Sequence, residues 1–157
     1  MRAVETGTDI AAPPWRVWLV LTDFAAYPAW NPFFTLVQGR PEKDARLRVR
    51  VEPPGRSALT LMPRVVALET GRGLRWRGRL LFPRGLLDAE HAFELELLAE
   101  GRETWLRHMA RFTGLLAPLA GAAGVLEATR HGLESMDAAV KALSEQRARS
   151  GRTRPEA

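Results

Sequence analysis

The sequence predicts an α+β domain in which a long C-terminal helix lies over a strongly curved antiparallel sheet. Two observations carry this prediction. From Arg46 to Thr113, apolar and charged residues alternate in two-residue steps, which is typical of half-buried strands. After Gly114, apolar residues recur at steps of four and three over about seven turns, which is typical of one face of a helix.

The bulk composition fits one cytoplasmic domain. A chain of 157 residues can bury a core without disulfide bonds or a structural metal, and this chain contains no cysteine. Disulfides, zinc-thiolate sites, iron-sulfur clusters and cysteine nucleophiles are therefore excluded. The charged N-terminus is unlike a secretory signal, and no stretch approaches the roughly 20 apolar residues of a spanning helix. We therefore expect a cytoplasmic protein without integral membrane association.

The positive charge does not indicate a nucleic-acid partner. Lysine and arginine number 23 against 18 acidic residues, for a net charge of +5. These basic residues are scattered from Arg2 to Arg154, whereas a nucleic-acid binder gathers them beside exposed aromatic residues. We expect no nucleic-acid partner, and the sequence does not predict the oligomeric state.

The N-terminal quarter predicts two short helices after a first strand. Pro13 and Pro14 suit a first helical turn, and the WRVWLVLTD segment that follows has apolar residues at helical spacing. Pro28 and Pro32 then disfavour continued helix, because a residue before proline is pushed out of the α region. Residues 24–31 are therefore predicted to form a second short helical turn or loop.

The middle of the chain predicts consecutive antiparallel strands separated by Gly and Pro turns. The predicted strands cover residues 46–51, 57–69 with an irregularity at Pro63, 74–80, 89–97 and 102–113. A four-residue loop at 98–101 would pair Leu97 with Arg102 and set His91 directly opposite His108. In that register, the even residues of the last strand face inward.

The remainder predicts one long helix that begins in the buried segment 114–126 and ends near Gln146. Its apolar stripe contains Leu115, Leu119, Ala122, Leu126, Thr129, Leu133, Met136, Val140 and Leu143. Residues 147–157 lack apolar anchors, so we predict a domain over 1–146 and a flexible basic tail over 147–157.

Several short motifs in this order resemble one superfamily. They are I-x-A-P at Ile10, Y-P-A-W-N-P at Tyr27–Pro32, L-R-W-R-G at Leu74–Gly78, H-x-F at His91, and T-x-L-x-H with F-x-G over Thr104–Gly114. Residues 3–145 resemble the START/Bet v 1-like, or SRPBCC, superfamily and its polyketide cyclase/dehydrase-like branch. The resemblance implies a helix-grip fold, with a curved seven-stranded sheet around the terminal helix, two short helices between strands 1 and 2, and a cavity inside.

The predicted ligand-binding residues are the inward positions of strands and helix together with one loop. They are Trp30, Asn31, Trp76, His91, Phe93, Leu106, His108, Phe112, Leu119 and Leu126. The small residues 121–124 are expected to leave apolar space for a ligand. The alternative is that most of these side chains form an ordinary core.

The polar candidates each have a structural alternative. His91 and His108 would orient a ligand carbonyl or hydroxyl, or they are merely semi-buried histidines with satisfied hydrogen bonds. Trp30 and Asn31 would close the cavity mouth, or they anchor a loop to the core. Arg75, Arg77 and Arg79 form a ladder that cross-strand pairing with Glu90, Glu94 and Glu96 explains without an anionic ligand.

The sequence thus predicts binding or carriage of a hydrophobic or amphipathic small molecule, such as a lipid or a polyketide-like compound. It predicts no cofactor and no metal, because two histidines without a third ligand make a poor metal site. No nucleophile with a base and no carboxylate pair is recognisable, so no catalytic residue is assigned. The alternatives are a cyclase or dehydratase with a cavity histidine as general base, and a co-chaperone or protein-interaction module.

Overall fold

The structure, a computed structural model, describes the backbone of residues 1–152 and the side chains of residues 1–151. Within residues 1–152, eight strands and four α-helices follow one another, with short 3₁₀ turns at Phe24–Ala26 and Ala99–Gly101. The strands and α-helices are β1 (Arg2–Ile10), α1 (Pro14–Thr22), α2 (Tyr27–Trp30), β2 (Phe34–Gln38), β3 (Arg48–Val51), β4 (Leu59–Leu61), β5 (Arg64–Glu69), β6 (Gly73–Leu81), β7 (Leu87–Leu98), β8 (Glu103–Thr113), α3 (Ala117–Ala122) and α4 (Val125–Arg152).

The strands form two antiparallel sheets. Five strands pair in the order β1-β8-β7-β6-β5, and three pair in the order β2-β3-β4. The predicted α+β class is confirmed and the arrangement is consistent with a helix grip, but the single seven-stranded sheet is wrong. The predicted strand 57–69 is divided at Pro63, which has no N–H to continue a ladder.

Hydrogen bonds across this break hold the two sheets together. The Leu47 N–H donates to the Pro63 carbonyl at 2.8 Å, and the Val65 N–H donates to the Ala45 carbonyl at 2.9 Å. The chain before β3 therefore pairs with the start of β5.

The β7–β8 register is shifted by two residues from the predicted one. Leu98, which was predicted to lie in the loop, pairs with Glu103. The turn therefore contains residues 99–102 rather than 98–101. Ala99, Glu100 and Gly101 all adopt positive φ, which tightens the turn beyond Leu98. Because side chains alternate with a period of two, the inward face is preserved. His91 now pairs with Ala110, and the two histidines are diagonal rather than direct neighbours.

The predicted single C-terminal helix is two helices. Gly124, at φ 72°, separates α3 from α4. The first part of the predicted stripe is wrong, since Leu115 and Leu119 are 80% and 58% exposed. The later part is confirmed, because Leu133 and Met136 are fully buried.

Helix α4 also continues past the predicted end of the domain. It reaches Arg152, and Ala148 is buried within it, so the helix extends beyond its predicted end near Gln146. Residues 153–157 of the predicted tail lie outside the described residues.

Helix α4 lies along β1, the edge strand of the larger sheet. Lys141 Nζ donates to the Asp9 carbonyl at 2.6 Å, and Arg130 Nη1 donates to the Glu5 carbonyl at 3.2 Å. These bonds occupy edge carbonyls that would otherwise be open to another strand. None of the helices described within residues 1–152 has the length and apolarity needed to cross a membrane.

On the outer face of the sheet, Glu90 forms the predicted cross-strand ion pairs with arginines. Arg77 donates to one Glu90 oxygen at 2.6 and 3.0 Å, while Arg75 and Arg111 lie within 4 Å of the other oxygen. Glu90 is only 6% exposed, so its carboxylate needs these cations.

We predict that Leu133→Ala lowers the free energy of unfolding by roughly 2–5 kcal/mol, because it removes a fully buried side chain from the helix–sheet contact. Leu119→Ala, the same change at an exposed position, should cost less than about 0.5 kcal/mol. Urea denaturation of both variants measures the difference. Equal effects would contradict the packing of α4 described above.

Candidate functional site

The inner wall of the larger sheet brings most of the predicted site residues together. The buried members are Trp76 on β6, His91 and Phe93 on β7, and Leu106, His108 and Phe112 on β8. They share one face because every second residue of a strand points the same way. The wall is aromatic and aliphatic except for the two histidines.

Asn31 directs two further aromatic rings onto this wall. Its Oδ1 accepts hydrogen bonds from the backbone N–H groups of Phe33 and Phe34, each at 2.9 Å. The turn packs Phe34 against both histidines, with its ring centroid 4.9 Å from that of His91 and 6.4 Å from that of His108. Asn31 is therefore a buried loop anchor.

Phe33 and Phe34 were not among the predicted site residues. The pair of aromatic residues directly after Asn31-Pro32 was the available signal. Phe33 reaches α4 at Gly132, where an added Cβ would overlap the Phe33 ring. A side chain at position 132 would force this loop and the helix apart.

A buried carboxylate contacts one of the histidines. Asp137 on α4 is 4% exposed, and its Oδ1 lies 2.8 Å from Nδ1 of His108. Its Oδ2 accepts a hydrogen bond from the Thr6 hydroxyl at 2.5 Å. Asp137 was not among the predicted site residues. The sequence did contain a signal for it: Asp137 lies four residues after Leu133 and three before Val140, which places an acidic residue on the apolar face of the helix.

This arrangement orients His108 for proton transfer or hydrogen bonding. A carboxylate at Nδ1 favours the tautomer that carries its proton there, and this leaves the lone pair on Nε2. Nε2 is buried and has no hydrogen-bond partner within residues 1–152. Since buried polar atoms normally have partners, this nitrogen is available to a ligand.

His91 is the second polar group of the wall. Its ring centroid is 6.4 Å from that of His108, and its Nδ1 is buried with no partner in the described part of the chain. Burial, with a smaller effect from His108, lowers the pKa of His91 to about 3. His91 is therefore neutral at physiological pH.

The other predicted site residues lie farther from the histidines or outside the interior. Trp30 is half-buried and packs edge-on against Tyr27, with the two ring centroids 5.0 Å apart, which fits a role as a loop anchor. Leu126 is half-buried, whereas Leu119 is exposed and is not an interior residue. Residues 121–124 are exposed too, so they do not border the interior as expected.

The sheet surface carries cavities of about 360 and 1030 Å³. Among the predicted ligand-binding residues, only Phe93 lines either of them. In this conformation the space in front of the histidines is occupied by Phe34. Among residues 1–152, no three His, Asp or Glu side chains converge as metal ligands.

The sequence places the chain in a family. The model of the family described as polyketide cyclase/dehydrase and lipid transport matches residues 1–143. The chain belongs to this family. No protein among the curated sequences matches it.

Solved structures share the fold at low sequence identity. The Zhui aromatase/cyclase from Streptomyces superimposes with a TM-score of 0.76 at 22% identity, over 96% of this chain and 97% of the other. A START superfamily protein from Mycobacterium smegmatis superimposes with a TM-score of 0.67 at 20% identity, over 92% of this chain and 97% of the other. The di-domain ARO/CYC BexL gives 0.69 at 17% identity, over 90% of this chain and 45% of BexL.

We predict a pH-dependent stability from His91. Its pKa is about 3 in the folded protein and roughly 6.5 when unfolded, so below pH 6.5 the unfolded chain binds a proton that the folded chain does not. Stability therefore falls as the pH is lowered from 6.5 toward 3, with a slope approaching about 1.4 kcal/mol per pH unit.

His91→Phe should remove this slope between pH 5 and 6.5. His131→Phe is the matched control, because His131 is an exposed histidine on α4. Urea denaturation at several pH values measures both. An unchanged slope in His91→Phe would show that His91 is not buried neutral.

Proposed function

We propose that the chain binds an amphipathic small molecule between the inner wall and α4, with its polar group at the two histidines. The observation that carries this is the pair of buried nitrogens, His91 Nδ1 and His108 Nε2, that lack partners in residues 1–152. His108 Nε2, which carries the lone pair, would accept a hydrogen bond from a ligand hydroxyl, and neutral His91 would donate one to a carbonyl from Nδ1 in the tautomer that carries its proton there. The surrounding rings would contact the apolar part. Family membership supports the proposal, since its description includes lipid transport.

Binding requires that Phe34 move. Its ring is completely buried and lies against His91, Trp76 and His108 at centroid distances of 4.9–6.4 Å. A ligand ring that replaces the Phe34 ring would keep the edge-to-face contacts with Trp76 and His91. The loop from Asn31 to Phe34 is short, and it is the element whose displacement creates the space.

The segment around α3 offers a path to the interior. Leu115 and Leu116 donate backbone hydrogen bonds to the carbonyls of Gly85 and Leu86, each at 2.9 Å. Arg56 Nη1 donates to the Ala123 carbonyl at 2.8 Å. These few contacts between loops are easier to open than the sheet or α4.

The test compares two neutral probes of equal size, 2-acetylnaphthalene and 2-isopropenylnaphthalene, by tryptophan fluorescence quenching. We predict that the wild-type protein prefers the ketone by roughly fivefold, about 1 kcal/mol for one hydrogen bond donated by His91 Nδ1. The His91→Phe/His108→Phe double variant should prefer the hydrocarbon, because its polar groups are gone.

His131→Phe is again the control and should keep the wild-type preference. His91→Phe alone leaves the His108–Asp137 pair intact and provides a second variant if the double variant is unstable. Native mass spectrometry of the purified protein would identify a co-purifying molecule. Absence of saturable binding of either probe would contradict the proposal and favour a protein-interaction role, for which the exposed Leu115, Leu119 and Phe82 provide apolar surface.

A second candidate function is a cyclase or dehydratase, and it is favoured by the Thr6–Asp137–His108 chain of hydrogen bonds. With Asp137 at Nδ1, His108 Nε2 would act as general base. It would take a proton from the α-carbon of a β-hydroxy ketone and return it to the departing hydroxyl, which leaves as water as the C=C bond forms.

If the chain is such an enzyme, we predict that His108→Gln lowers kcat on an aromatic β-hydroxy ketone by roughly 10²–10⁴-fold. Asp137→Asn should lower kcat with little change in KM and alter the pH profile, because it acts through His108. Enone formation is followed by absorbance. Turnover equal to that of wild type in both variants would exclude this mechanism while leaving ligand binding intact.

A further inference from the structure

The outer face of the larger sheet carries a cleft lined by arginines. Its volume is about 1030 Å³, and it lies where β4, β5, β6 and the 82–86 loop meet, on the face opposite the histidines. Five arginines line it: Arg46, Arg64, Arg77, Arg79 and Arg84. Asp88 is the acidic residue in the lining, and no ion pair joins it to a basic group in the described part of the chain. We call this cavity the arginine cleft.

Three of the arginines stand in a row across neighbouring strands. Arg46 forms a bridge with Arg64, and Arg64 pairs with Arg77 in the β5–β6 register. Like charges directly opposite one another destabilise a sheet. At one end of the row, Glu90 binds Arg77. Arg46 and Arg64 have no ion-pair partner within residues 1–152, so their repulsion is not balanced by this chain.

The same cleft exposes apolar side chains next to the charges. Met62 is 65% exposed, Phe82 is 74% exposed and Val66 is 36% exposed, and all three line the cleft. Arg79 lies over the Phe82 ring at 5.4 Å, a cation–π contact that holds a charge beside an apolar surface. Exposed apolar side chains grouped with unpaired cations are typical of a binding surface.

We propose that the arginine cleft binds a small amphipathic anion, separately from the interior site. The head group is a carboxylate or phosphate held by Arg46 and Arg64, because guanidinium groups bind both in a bidentate geometry. The apolar part lies on Phe82 and Met62. The cleft volume is slightly above the roughly 300–1,000 Å³ of small-molecule sites, so it can hold a ligand of this size.

Isothermal titration of the full chain with dodecyl phosphate and dodecanoate, both below micelle-forming concentrations, tests this site. We expect saturable binding of at least one probe, which also distinguishes the two head groups. Arg64→Gln should weaken it by about tenfold or more, through loss of one charge-assisted pair. Arg48→Gln is the matched control: Arg48 is also exposed on a strand and has no described ion pair, but it does not line the cleft. It should change affinity less than about twofold.

Two further variants separate this site from the interior site and from general charge attraction. Phe82→Ser should weaken dodecyl phosphate but not ethyl phosphate, because only the longer probe reaches the apolar part. His91→Phe/His108→Phe should leave binding unchanged. Equal losses in Arg64→Gln and Arg48→Gln, dependence on the histidines, or no saturable binding of either probe would overturn the proposal.

Discussion

The buried carboxylate of Asp137 is the constraint on which the interior depends. A carboxylate at this depth is tolerated only when its oxygens are hydrogen-bonded, and here Thr6 of β1 and His108 of β8 supply one bond each. These bonds fix the rotation of α4 relative to two neighbouring strands. Leu133 and Val140, about one turn to either side, are then held against the sheet. The same contact orients His108, so the polar end of the proposed site and the packing of the helix have one origin.

The interior combines tight packing with incomplete polar pairing. Asn31 uses its Oδ1 to aim Phe33 and Phe34 inward, and Gly132 lets α4 approach Phe33 closely. An ordinary core with the same aromatic residues would not need two histidines with unpaired nitrogens, because buried unpaired polar atoms reduce stability. We therefore interpret Phe34 as the residue that a ligand would replace.

The outer face distributes its charge unevenly. Around Glu90 three arginines are balanced by a single nearly buried carboxylate and by Glu94 nearby, whereas the row at Arg46 and Arg64 has no acidic partner among the described residues. Cross-strand pairing with acidic residues thus balances the charge of Arg77 but not those of Arg46 and Arg64. The distinction depends on the isolated bridge between residues 46 and 64, which brings a loop residue into register with β5.

The sequence by itself determined most element types and the buried faces of β6, β7, β8 and α4. Period-two alternation placed Trp76, His91 and His108 on the inner wall, and helical spacing placed Leu133 on the buried side of α4, because these periods are local properties of the backbone. Tertiary structure alone decided the rest. The two-residue shift in β7–β8 preserves every inward position, so alternation could not detect it. The sheet break at Pro63 and the helix break at Gly124 depend on which partners the neighbouring backbone finds. The Asp137–His108 pair joins residues that are distant in the chain, and only the packing of α4 on β1 and β8 brings them within hydrogen-bonding distance.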